Sequence, residues 1–187
     1  MKKIFMFSVL CVMICLFGGC SQGGIQPLEV PSKNIKTKTY SNDQFSFEYP
    51  SKLNLEEYNS SILVYYSGRE EKPIQIVVNN DEKNFNLFAL KKDVLKNARN
   101  IATTLNTFEV SVDAEIASIS AGNVLVIYTN VNQGILDGSD EIHIFLPDKK
   151  NKRSINFIVE TDATNHESQK EALLVVANSF RFNEESN

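Results

Sequence analysis

Between Phe108 and Ile116, apolar and polar residues alternate without a break. Successive side chains of a β-strand point to opposite faces of the sheet, so this pattern predicts a strand with one buried and one wet face. The next apolar run, from Val124 to Val131, is apolar on both faces over its first five residues. That composition is typical of a central strand. We therefore expect a sheet with further layers packed on it.

Two helical patterns interrupt the strands. Residues 87–105 carry apolar side chains every three or four positions, and Asn86 stands where an N-cap is expected. A second helix is predicted from Thr164, where Glu167 follows at the spacing of a capping box. The other strand patterns are 45–49, 62–66, 74–78, 141–146 and 154–160. The order of three strands, helix, four strands, helix predicts an α+β fold with an antiparallel sheet of about six to seven strands.

The N-terminus has a different pattern. A basic head of two lysines precedes an apolar run from Ile4 to Phe17, and two glycines and Cys20 follow. A basic head, a short apolar run and small residues are typical of an export signal. A membrane-spanning helix needs about 20 apolar residues, more than this run supplies. Residues 1–19 are therefore predicted to be a signal peptide.

Leu16 to Cys20 resembles the lipobox of bacterial lipoproteins. The resemblance implies cleavage between Gly19 and Cys20, a diacylglycerol on the Cys20 thiol, and often a further acyl group such as palmitate on the new N-terminus. It predicts a protein anchored in the cell membrane by lipid, on the extracytoplasmic face. Residues 20–39, rich in Gly, Pro and polar residues, are then predicted to be a flexible tether, or in part an irregular first strand.

Composition excludes some functions. Cleavage after Gly19 removes two lysines and takes the formal net charge from -4 to -6, whereas nucleic acid requires a basic face. Cys11 and Cys15 leave with the signal peptide, so neither a disulfide nor a cysteine metal site is expected, and no cofactor is predicted. Residues 40–187 are long enough to bury one core without such staples. A single domain is therefore predicted there.

Two stretches at the ends of this domain resemble the PsbP-like family. Tyr40 followed by Phe45-Ser-Phe-Glu-Tyr-Pro50 resembles its start, and Asn178-Ser-Phe-Arg-Phe182 resembles its end. The resemblance implies an antiparallel sheet sandwiched by helices, a fold shared with a Ran-binding import factor. It also implies a binding or accessory role at a membrane or protein assembly, because the family has no shared active-site motif.

Residue patterns for catalysis are scarce. The chain has two histidines, His143 and His166, and neither neighbours a nucleophile motif such as G-x-S-x-G. We therefore predict that the protein is not an enzyme. The alternative is a lipid-anchored hydrolase assembled from dispersed residues. It would require a pocket in which a carboxylate is hydrogen-bonded to one of these histidines.

Asp137, Asp140 and Glu141 place three carboxylates around Gly138. Oxygen ligands can hold a hard cation, so a calcium-binding or calcium-sensing lipoprotein is a further alternative. The spacing departs from the EF-hand pattern, and a solvated hairpin loop explains the cluster more simply. No metal site is therefore predicted.

Lys149, Lys150, Lys152 and Arg153 form a basic run at a predicted hairpin tip. On a lipoprotein these side chains could contact phospholipid headgroups or an anionic wall polymer. They could equally keep an exposed hairpin soluble and free of edge pairing. They are predicted candidates for binding.

Tyr65 is another candidate binding residue. The apolar residues around it alternate onto the other face of its strand, and tyrosine is common on binding surfaces. The lipobox, the tether and the scarcity of catalytic motifs together predict a membrane-anchored, non-catalytic binding or accessory module. Its expected partner is a protein or a cell-envelope component, and not nucleic acid.

Overall fold

The computed structural model of the protein covers most of the chain from Gly24 to Asn183. The predicted signal peptide, Cys20 and the predicted helix start at Thr164 lie outside the described residues. The described residues are 24–29, 34–59, 61–66, 72–80, 85–104, 109–133, 136–161 and 166–183.

These residues form eleven strands and two helices. The strands are β1 (Gln26–Pro27), β2 (Thr37–Ser41), β3 (Phe45–Pro50), β4 (Leu53–Tyr58), β5 (Ser61–Tyr66), β6 (Ile74–Asn80), β7 (Glu109–Ile119), β8 (Gly122–Gln133), β9 (Leu136–Asp148), β10 (Arg153–Thr161) and β11 (Arg181–Phe182). The helices are α1 (Leu87–Thr104) and α2 (His166–Ser179). Neither of these two helices is long and apolar enough to cross a membrane.

Eight strands form the main sheet, in the order β1-β7-β8-β9-β10-β6-β5-β4. Neighbouring strands are antiparallel except for β1, which pairs with β7 in parallel. β11, β3 and β2 form a second, three-stranded sheet. The predicted α+β class and antiparallel sheet are confirmed. The main sheet is nevertheless larger than predicted, because β1 and β4 extend its two edges, and β3 belongs to the second sheet.

The main sheet separates two hydrophobic cores. On β8, Val124 and Val126 face the larger core and Leu125 faces the smaller one, and each is at most 2% exposed. α2 and the second sheet cover the larger core, where the rings of Phe45 and Phe180 have centroids 5.1 Å apart. α1 covers the smaller core above β7 and β8. The sheet is thus sandwiched between helices, as the family resemblance implies.

α1 begins where the sequence predicts. The Asn86 side-chain oxygen accepts hydrogen bonds from two backbone N–H groups of the first turn, each at 3.1 Å. This satisfies donors that have no partner within the helix. Leu87 and Leu90 pack on the sheet together with Leu95, which lies outside the predicted apolar seam. Among the side chains that are described, the packed face thus includes one leucine beyond those predicted.

Residues 20–39 differ in part from the flexible tether that their composition predicts. Gln26–Pro27 forms β1 on the outer edge of β7. Beyond it, the Leu28 N–H donates to the carbonyl oxygen of Ser118 at 2.8 Å, and the Leu28 side chain is only 4% exposed. Backbone pairing at an open edge and burial of one leucine hold the segment in place. Residues 24–29 thus lie against the edge of the main sheet.

Candidate functional site

The face of the main sheet on which α1 packs is only partly covered by that helix. Cross-strand pairs form one row across this face, which runs from Glu56 through Leu63, Gln75, Ile158 and His143 to Ile127. Ile127 packs in the smaller core beneath α1, whereas the other members of the row remain at least partly exposed. We call the partly exposed region near β4 the outer sheet surface. It consists of Glu56, Tyr58, Leu63, Tyr65, Gln75 and Ile158.

Tyr65 lies on the outer sheet surface. Its hydroxyl donates a hydrogen bond to Oε1 of Glu56, and the Tyr58 hydroxyl donates to Oε2 of the same carboxylate at 2.6 Å. The three side chains form one polar cluster at the edge strand β4. Sequence reasoning singled out only Tyr65. The alternation of residues 53–58 is the signal that would have indicated Glu56 and Tyr58 as well.

Hydrogen bonding sets the ionisation of this cluster. The hydrogen bonds from Tyr58 and Tyr65 lower the pKa of Glu56, because they stabilise its carboxylate. The same bonds raise the pKa of both tyrosines, because a phenol that donates to a carboxylate loses a favourable contact when it ionises. At neutral pH the cluster therefore presents one negative charge between two neutral phenols.

His143 and Glu141 lie on the same face of β9, with His143 Nε2 3.4 Å from Glu141 Oε1. Burial lowers the pKa of His143, and the charge of Glu141 opposes this only in part, so the imidazole is neutral at pH 7. Its cross-strand partners are Ile127 and Ile158, which carry no group that a base could activate. The His166 side chain lies outside the described part of the chain. This pair alone does not provide the nucleophile that the hydrolase alternative requires.

The three carboxylates considered as calcium ligands belong to strand β9 and not to a glycine turn. Asp140 and Glu141 are consecutive in this strand, so their side chains point to opposite faces. Asp140 also accepts a hydrogen bond from Asn130, and the Asp137 side chain is not among those described. Over the described ranges, no group of three or more His, Cys, Asp or Glu side chains could hold a metal ion.

The predicted basic run divides into two parts. Arg153 is only 11% exposed, and its Nε donates to Oδ2 of Asp148 at 2.7 Å. Its guanidinium also donates to Gln44 and lies 5.8 Å from the ring centroid of Phe182. Arg153 therefore connects the β9–β10 hairpin to the second sheet. This position differs from the exposed one that a basic run predicts, because a buried carboxylate lies within reach of the guanidinium.

The three lysines of the run remain on the surface. Lys149, Lys150 and Lys152 are exposed at the tip of the β9–β10 hairpin, and Lys152 has a left-handed backbone with φ 52°. Because they lie at a tight turn that projects from the sheet, their ammonium groups are in water. They can contact an anion, but they do not converge on the outer sheet surface.

Comparison with known proteins identifies the fold. No protein-family model matches the sequence, and a search of curated proteins finds no match. Cyanobacterial PsbP (CyanoP) from Synechocystis sp. PCC 6803 superposes with a TM-score of 0.56 and 14% identity, over 90% of this chain and 99% of that one. The Ran-binding protein Mog1p of Saccharomyces cerevisiae superposes with a TM-score of 0.53 and 9% identity, over 79% of this chain and 95% of that one.

These likenesses define the class of protein as α+β with a PsbP-like fold. The resemblance seen at residues 40–50 and 178–182 is thereby confirmed for the fold. The first stretch contains β3, and the second contains the end of α2 followed by β11. Strands β3 and β11 pair with each other in the second sheet. The two sequence motifs are thus parts of one structural unit.

Proposed function

We propose that this protein is a lipid-anchored, non-catalytic binding or accessory module on the extracytoplasmic face of a bacterial cell membrane. The lipobox-like stretch from Leu16 to Cys20 supports the anchor. A diacylglycerol on Cys20 and a further acyl chain would bury many methylene groups, each contributing about 0.8 kcal/mol to membrane attachment. The folded domain would then act beside the membrane on a partner that it binds.

The observation that carries the binding role is the cluster of Glu56, Tyr58 and Tyr65 on the outer sheet surface. Tyr58 is 52% exposed, and the half-buried apolar side chains of Leu63 and Ile158 lie in the same cross-strand row, on either side of Gln75. A partly apolar centre with tyrosines at its margin is the usual composition of a protein-binding surface. A protein partner therefore suits this open surface.

The charge of the cluster selects among partners. Two tyrosine hydroxyls hold the Glu56 carboxylate in one orientation, and each carboxylate oxygen has a second lone pair for another donor. An acceptor held in place before binding loses less entropy when a ligand arrives. We therefore expect the partner to present an arginine or lysine to Glu56. Mog1p, which shares the fold, is a Ran-binding protein, so the fold is compatible with protein recognition.

The binding role can be tested by site-specific crosslinking in cells. A photoreactive amino acid would replace Tyr58 in the full-length protein, and in a matched control it would replace Glu48, which is exposed on β3 of the second sheet. We expect a discrete protein adduct from position 58, none from position 48, and loss of the adduct when Glu56→Lys is added. Equal adducts from both positions, or none from position 58, would contradict the assignment of this surface.

A further inference from the structure

The two edges of the main sheet differ in what they expose. Among the described residues, the large hydrophobic side chains that are exposed are Ile25, Tyr58 and Phe88. Tyr58 lies on the edge strand β4, whereas Ile25 immediately precedes the opposite edge strand, β1. Phe88, in the first turn of α1, lies near Ile25. Phe88 is 69% exposed and Ile25 is 39% exposed, and both line the same grooves, so they form a joint exposed apolar patch rather than two scattered side chains.

Ile25 and Phe88 together line two adjoining grooves. The larger has a volume of about 710 Å³ and is also lined by Ile116 and Lys149. The smaller, of about 490 Å³, is also lined by Lys91. Each groove thus combines exposed apolar surface with a lysine. Apolar side chains beside lysines suit the boundary between acyl chains and phosphate groups in a bilayer.

The acidic residues that line the smaller groove each have a partner within the protein. Glu29 lies 3.5 Å from the ammonium of Lys170. Glu115 accepts a hydrogen bond from the Tyr128 hydroxyl at 3.2 Å. The Lys170 ammonium therefore partly offsets the charge of Glu29, whereas Glu115 keeps its charge because its phenol partner is neutral. Repulsion between this face and anionic headgroups is correspondingly reduced.

The length of chain before β1 limits where this face can lie. Gly24 is the fourth residue after Cys20, and an extended chain covers at most about 3.5 Å per residue, or about 14 Å in all. Residues 24–29 are held on the domain by β1 and by the buried side chain of Leu28. A lipid attached to Cys20 would thus keep the β1 edge within about 14 Å of the membrane surface.

We propose that the face formed by Ile25 and Phe88 rests on the phospholipid bilayer, with Lys91 and Lys149 at the level of the phosphates. This inference depends on the proposed lipid anchor at Cys20. It places the domain directly on the membrane and sets its orientation. The main sheet has eight strands, so its far edge, β4, lies about seven strand spacings, or about 34 Å, from β1. The outer sheet surface, next to β4, is then the part of the sheet farthest from the β1 edge, where a partner can reach it.

A single tryptophan can report this contact, because the natural chain contains none. Full-length Phe88→Trp and Tyr58→Trp proteins would be purified from membranes and reconstituted in vesicles of phosphatidylcholine and phosphatidylglycerol with brominated acyl chains, which quench nearby tryptophan. Both replaced residues are exposed and aromatic, so neither change should disturb folding. Ile25→Trp provides a second reporter on the proposed face.

We expect quenching and a blue shift of the emission for Phe88→Trp and Ile25→Trp, severalfold greater than for Tyr58→Trp. The mass of the N-terminal peptide from the same samples shows separately whether Cys20 carries lipid. Lipid on Cys20 with equal quenching at positions 88 and 58 would overturn the membrane-contact face and leave the anchor standing. Selective quenching at position 88 without lipid on Cys20 would overturn the anchor and support the contact face. Absence of both would overturn both proposals.

Discussion

The Nε of Arg153 donates a hydrogen bond to Oδ2 of Asp148 at 2.7 Å, and both side chains are almost entirely buried. The pair closes the β9–β10 hairpin from the inside. Gln44 and Phe182 contact the same guanidinium, so the pair also joins the hairpin to the second sheet. A residue that the sequence places in a surface basic run is thus part of the protein's internal structure.

Replacing Arg153 should therefore destabilise the protein. Arg153→Leu leaves the Asp148 carboxylate buried without its cation, which should lower the free energy of unfolding by about 3 kcal/mol. Lys150→Leu, at the exposed tip of the same hairpin, should change it by less than about 0.5 kcal/mol. Urea unfolding followed by circular dichroism measures both values. Similar midpoints for the two variants would show that the ion pair contributes little.

The Asp148 carboxyl should make stability depend on pH. Burial by itself raises the pKa of Asp148, but hydrogen bonds from Asn151 and Arg153 outweigh burial and hold that pKa below its ordinary value of 3.8. The unfolded chain therefore binds this proton more readily than the folded one. The resulting stabilisation is fully present above the unfolded pKa and is lost as the pH falls through the lower folded pKa.

Urea midpoints measured at pH 6 and below pH 3.8 test this linkage. We expect Asp148→Asn to be less stable than the wild type at pH 6 and the gap to narrow in acid, where the wild type loses the contribution of its carboxylate. Asp43→Asn, at an exposed position, is the control and should follow the wild type closely. A gap that stayed constant with pH would mean that the effect of the substitution is steric.

Truncation of two phenylalanines should lower stability to very different extents. Phe180 is fully buried, and its ring lies 5.1 Å from that of Phe45 and 5.3 Å from that of Phe157. Phe180→Ala should cost about 4 kcal/mol, because it leaves a cavity between α2 and both sheets. Phe88→Ala should cost less than about 0.5 kcal/mol, since that ring is exposed. Thermal unfolding distinguishes them, and a large loss for Phe88→Ala would show that its ring is packed.

The lipid anchor predicts the behaviour of Cys20→Ser. Without the thiol, lipid transfer and specific cleavage should both fail, so the protein should remain as an uncut precursor or be released as a soluble domain after cleavage elsewhere. Metabolic labelling with a radioactive fatty acid and detergent partitioning measure the effect. The wild type should take up label and the variant should not. Labelling of neither would indicate a plain secretory signal, and equal labelling of both would show that Cys20 is not the lipidated residue.

Several elements could be predicted because their signals are local. From Glu109 to Ile116 the predicted alternation lies within β7, the doubly apolar run from Val124 lies in the interior strand β8, and Asn86 caps α1. Each pattern depends on neighbours within a few residues. β1 and β11, with two residues each, are too short to show a period of two. β2 and β4 carry few apolar residues, and in β4 only Leu53 and Leu55 alternate with polar neighbours. Their pairing is decided by an available sheet edge elsewhere in the chain.

The candidate site shows the same division. Tyr65 could be placed on the outward face of its strand from alternation alone, but its partner Glu56 lies on the neighbouring strand and follows from the register of β4 on β5. Arg153 was assigned to the surface because its sequence neighbours are lysines. In the structure its guanidinium pairs with Asp148 and donates to Gln44, which is 109 residues away.

By itself, the sequence determined the α+β class, the cap of α1 and the strands with long periodic patterns, because hydrophobic alternation and capping act within one element. Only the tertiary structure decided that Gln26 and Pro27 pair with Ala117 and Ser118, 91 residues farther along the chain, and that α1 leaves the outer sheet surface exposed. These features arise from contacts between distant parts of the chain. Such contacts form when edges and faces meet in three dimensions, and no local pattern records which ones will meet.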